Sequence, residues 1–271
     1  MSATRVLPFI TTLVMLVFTA SVLQRYQARR KAHFLFWGIG LAMFGFGSFA
    51  EAFFAVAGWS TPIFFGWYLF GAALNAAWLG HGTLLLLNRK RWVHVLTAAL
   101  LTGSVATAVL MVQAMPRIEA GVFNPALPIS EQYGTKVIEP GDEVPAGAQL
   151  TTVTYRGEQV QVVRGLMPLG TTVRSVTPFF NIYGLITLVG GALWSGWLFL
   201  RKRVLPNRVI GNVLIAVGAL AIASASTLTR LGYGQYLYLG ELVAATLMYA
   251  GFVTASAPAA EMEASPAALP A

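Results

Sequence analysis

The sequence contains no cysteine, one aspartate (Asp142) and four lysines, and only 10% of its 271 residues are charged. Without cysteine there is no disulfide, no thiolate metal site and no cysteine nucleophile. An intramembrane zinc hydrolase needs several His or carboxylate ligands, and Asp142 lies outside every apolar block. Lys31, Lys90, Lys136 and Lys202 also lie outside those blocks. Covalent retinal, whose Schiff base needs an amine inside a span, is therefore excluded. A net charge of +8 can mark a nucleic-acid binder. Here the basic residues sit in short connections between apolar blocks, as in the cytoplasmic loops of membrane proteins, so the expected partner is a lipid bilayer and not nucleic acid.

Hydrophobic residues make up 56% of the chain and fall in seven blocks near 6–23, 34–57, 63–87, 93–115, 178–200, 209–229 and 236–254. Each is long enough for a membrane helix, which needs roughly 20 apolar residues. The expected fold is an all-α, seven-transmembrane helix bundle. The first block runs into Arg25, Arg29, Arg30 and Lys31 without a small-residue cleavage site, so it reads as a span and not a signal peptide. Alternation places those residues on one side, with Arg89, Lys90 and Arg91 and with Arg201, Lys202, Arg203 and Arg208. The positive-inside rule then gives an N-out, C-in orientation in a plasma (inner) membrane. Trp59, Trp67, Tyr68, Trp92, Trp197, Tyr236 and Tyr238 fall near span ends and read as interfacial anchors.

The chain divides into 1–115 with four spans, an external loop at 116–177, three more spans at 178–254 and a tail at 255–271. In the loop, Leu150–Tyr155 and Gln159–Val163 flank Arg156-Gly157-Glu158, which predicts a β-hairpin in a small external cap. Pro140 and Pro145 interrupt the loop elsewhere. The Ala, Pro and Glu-rich tail predicts disorder on the cytoplasmic side, with no output domain.

Ionisable residues within spans are costly and normally face the bundle interior. Glu51 shares a helical face with Gly40, Phe44 and Gly47, where the glycines permit close helix approach. Arg230 ends a small-residue face of Asn212, Ala216, Ala219, Ala223 and Ser226. With Glu241, these charges fall at one depth, in the outer third of the bilayer. Two readings fit them: a salt-bridge cluster pinning helices together, the commoner arrangement, or a ligand or ion site beneath the cap, supported by Asn75 and Trp78. His81 offers a haem or metal ligand, but it has no second histidine at its depth, so haem is not expected.

Three stretches, Gly71-Ala-Ala-Leu-Asn75-Ala-Ala-Trp78-Leu-Gly-His81-Gly-Thr83, Asn212-Val-Leu-Ile-Ala-Val-Gly218-Ala-Leu and Tyr238-Leu-Gly-Glu241-Leu, resemble a group of bacterial seven-helix membrane proteins of unassigned activity. More distantly, the architecture looks like the seven-helix input modules of bacterial histidine kinases. That resemblance implies signalling through a separate membrane-protein partner. The leading expectation is a non-enzymatic membrane protein that senses a small ligand or organises a membrane complex. The alternatives are an ion-coupled transporter using Glu51 and Glu241, and a haem or quinone redox protein using His81.

Overall fold

The computed structural model describes residues 3–138, 149–202, 206–230 and 234–257. Among them are seven helices long and apolar enough to cross a membrane. They are α1 (Ala3–Arg29), α2 (Ala32–Ala57), α3 (Thr61–Leu87), α4 (Arg91–Ala114), α5 (Thr172–Arg201), α6 (Pro206–Arg230) and α7 (Leu237–Ser256). The chain is a multi-pass helical membrane protein. Two ends differ from the sequence reading. Helix α1 continues to Arg29, past the expected end near 23, and carries the Arg25 guanidinium to 4.6 Å from the centre of the Phe252 ring. Helix α5 begins at Thr172, so residues 172–177, read from sequence as the end of the external loop, are helical. Pro140, Pro145 and the tail from 258 lie outside the described residues.

Six helices close a ring in the order α1, α2, α3, α5, α6, α7 and back to α1. Helix α4 sits outside it, against α3 and α5. Only 17% of its most apolar stretch is buried, against 56% for α3. Its polar ties to the ring are a 2.7 Å contact from Thr97 to His81 and a 3.2 Å hydrogen bond from Trp78 to Ser104. Within the ring α2 and α3 nearly touch: a Cβ on Gly47 would lie 2.9 Å from the Gly71 Cα.

Helix α3 is not uniform. Between α-helical Thr61–Gly66 and Asn75–Leu87 it widens into a π-helix over Trp67–Leu74. Such turns displace the regular backbone pairing and often lie at functional sites. Two asparagines meet carbonyls of the wide segment. Asn75 donates to the Gly71 carbonyl at 2.8 Å, and Asn181 of α5 donates to the Ala72 carbonyl at 3.1 Å.

The connection between α4 and α5 forms a cap over one end of the ring. Its strands β1 (Lys136–Val137), β2 (Leu150–Tyr155) and β3 (Glu158–Val163) make an antiparallel sheet in the order β1-β3-β2. Leu150 pairs with Val163 and Tyr155 with Glu158 across the hairpin. Its two turn residues, Arg156 and Gly157, have φ of 54° and 88°, the positive values that a tight two-residue connection requires. Glu119 pairs with Arg164. Buried Ile129, Leu166 and Met167 share a core with Phe64, Trp67 and Tyr68 of α3, so the cap rests directly on the π segment.

Candidate functional site

Beneath the cap lies a cavity of about 370 Å³, walled by α2, α3, α5, α6 and α7. This falls within the range of ~300–1,000 Å³ typical of small-molecule sites. The Glu51 and Glu241 carboxyls adjoin on its wall. Both residues are buried, at 3% and 9% exposure. Trp67 donates its indole N–H to Glu51 Oε1 at 3.2 Å, and Ser48 donates to Glu241 Oε2 at 3.4 Å. Glu51 Oε2 has no hydrogen-bond donor, although the Glu51 and Glu241 carboxyls lie close enough to share a proton. The hydroxyl of Ser130, which is 6% exposed in the one-turn helix Ile129–Gln132 of the cap, also lacks a partner. These are the two buried side-chain polar atoms left without a partner among the described residues, and both belong to residues lining the cavity.

The polar wall continues through Asn75, Thr177, Asn181 and Tyr68, whose hydroxyl lies 3.0 Å from Thr177 Oγ1. Lys136 and Tyr133 line the cap end. The opposite end is apolar, formed by Phe44, Leu79, Leu188 and Met248. Two carboxylates held together in a bundle interior repel unless a proton or a cation lies with them. Among the described residues no lysine or arginine makes a salt bridge to either one. Among the described residues no group of three or more histidine, aspartate or glutamate side chains gathers to hold a metal ion.

Of the residues singled out from sequence, Glu51, Asn75 and Glu241 line this cavity, with Phe44 and Gly47 from the same α2 face and Ala219, Ala223 and Ser226 from α6. Asn75 also binds its own helix backbone. Trp78 is not on the cavity wall; it stacks on Phe36 and donates to Ser104. Arg230 ends α6 directly after cavity-lining Thr229, and its side chain lies outside the described residues. His81 is fully buried with both ring nitrogens engaged, Nδ1 at 2.7 Å from the Tyr183 hydroxyl and Nε2 at 2.7 Å from Thr97 Oγ1.

The anchor assignment of three aromatic residues needs correction. Trp67, Tyr68 and Tyr238 are buried, and the first two line the cavity, whereas Trp92, Trp197 and Tyr236 are exposed. Ser48 was missed, although it lies one turn from Glu51 and its position was readable from the helical spacing. Ser130 and Lys136 reach the site only through the fold of the cap. Comparison with family models, curated proteins and solved structures gives no match.

Proposed function

We propose that the protein is a small-molecule-binding bundle of the plasma (inner) membrane, oriented N-out and C-in, with the cap outside. Its ligand carries a cationic or hydrogen-bond-donating group that meets Glu51 and Glu241. Occupancy is passed to a separate membrane partner, which makes the role one of sensing and not of catalysis. The observation that supports this reading is the placement of the two orphaned polar atoms, Glu51 Oε2 and Ser130 Oγ. A buried unpaired polar group costs about 1–3 kcal/mol. Here both such groups border one cavity that also holds a second carboxyl, and a ligand with matching donors would relieve the cost.

Native mass spectrometry tests this. Wild type released gently from its own membranes should retain a bound small molecule, and the double variant E51Q/E241Q should lose it. Loss of charge-assisted contacts worth about 1.5–3 kcal/mol corresponds to roughly tenfold weaker retention or more. Identical adducts on a folded double variant would refute the reading.

A further inference from the structure

Part of the cavity wall is also outer surface of the bundle. Helices α5 and α6 pack along their cap-distal parts, where Leu188, Val189 and Ala192 share a core with Ala216 and Ala219. There Asn212 donates to Ser195 at 3.2 Å. Towards the cap the same helices turn residues onto the cavity: Pro178, Asn181 and Ile182 from α5, and Ala223, Ser226 and Thr227 from α6. Two of these are at once cavity wall and outer surface. Ile182 is 56% exposed, and Thr227 is exposed on the facing helix. Both helices are long and apolar enough to span a membrane, so in a bilayer this stretch of wall borders lipid. Polar groups cluster near it, and the far end of the cavity is apolar.

We propose that the occupant is a membrane-dissolved amphiphile with a cationic, amine-type head, which passes between α5 and α6 from the leaflet on the cap side and seats its head on Glu51 and Glu241. This rests on the ligand-binding reading above and adds the ligand's class and route. An ammonium head can take the place of a proton shared between the two adjoining buried carboxyls and brings donors for Glu51 Oε2. An alkyl chain matches the wall of Phe44, Leu79, Leu188 and Met248.

The test uses the full chain in phosphatidylcholine vesicles and a dodecylamine probe carrying a photoactivatable diazirine. Peptide mapping should place the label on α5 near 178–185 and on α6 near 222–227. Dodecylamine should compete, and dodecanol at the same mole fraction should not. E51Q/E241Q should lower the yield about tenfold or more, as loss of charge-assisted contacts implies. Ile182→Trp with Thr227→Trp should slow labelling by the long-chain probe. Where the double glutamine variant does not fold, Glu241→Gln alone and competition on wild type decide the matter. Label confined to lipid-facing α4 positions such as Val105 and Val109, unchanged in the glutamine variants, overturns the proposal. Protection by short, water-soluble butylamine without protection by dodecylamine overturns the amphiphile and its route but leaves the cavity a cation-binding site. Protection by neither removes both readings.

Discussion

Glu51 and His81 are both buried polar side chains on membrane helices, and their surroundings treat them oppositely. His81 has a partner for each ring nitrogen, so it serves to join α3, α4 and α5. Glu51 keeps one oxygen unmatched beside a second carboxyl. Sequence marked both, because an ionisable residue in an apolar run stands out, but it could not say which was complete. That distinction depends on Tyr183 and Thr97, which only the fold brings together. Glu131, in the cap, gives a pH-dependent prediction. Partial burial holds its carboxyl above the ordinary value of 4.5, with Lys136 acting in the opposite direction. A raised folded-state value means that its stabilising contribution is complete below the unfolded value and is lost as pH rises through the folded one. Thermal melts of wild type and Glu131→Gln between about pH 4 and about pH 7 should therefore diverge, wild type losing ground as pH rises. Parallel curves would show that Glu131 does not titrate differently on folding.

At the scale of elements, all seven spans were readable from hydropathy because apolar length alone defines them. The π segment of α3 was not. Its sequence continues the apolar pattern of an ordinary helix, and its wide turn is accommodated by tertiary partners, above all the Asn181 amide from α5. Nor was the peripheral place of α4, since apolar residues suit lipid and protein interiors equally. With so little of it buried, α4 depends on few polar ties. Thr97→Val with Ser104→Ala removes the α4 partners of His81 and Trp78, and interhelical hydrogen bonds in membranes are worth about 0.6–2 kcal/mol each. The double variant should show faster hydrogen exchange in 91–114 than wild type, with little change in α6 and α7. Equal acceleration throughout the ring would mean that α4 is integral to it.

For the whole molecule, charge asymmetry between loops predicts orientation, and the cysteine-free chain makes it easy to measure. Single cysteines at Gly157 in the cap and at Ser265 beyond α7 should react with an impermeant maleimide from opposite faces of sealed vesicles. Reaction from one face would overturn the assigned orientation. Charge and hydropathy do not disclose the ring's order, which is set by side-chain fit between helices distant in sequence. The closing contact joins α1 to α7, with Phe18 between Tyr249 and Phe252 at centroid distances of 5.2 and 5.5 Å. The chain is made from one end, so α1 enters the bilayer with this surface uncovered until α7 is inserted. The cavity acquires its second carboxyl and its last wall from those same 20 residues. A nascent chain halted before them contains Glu51 but a chamber open on its α7 side, so the paired-carboxyl site is complete only once α7 is in place.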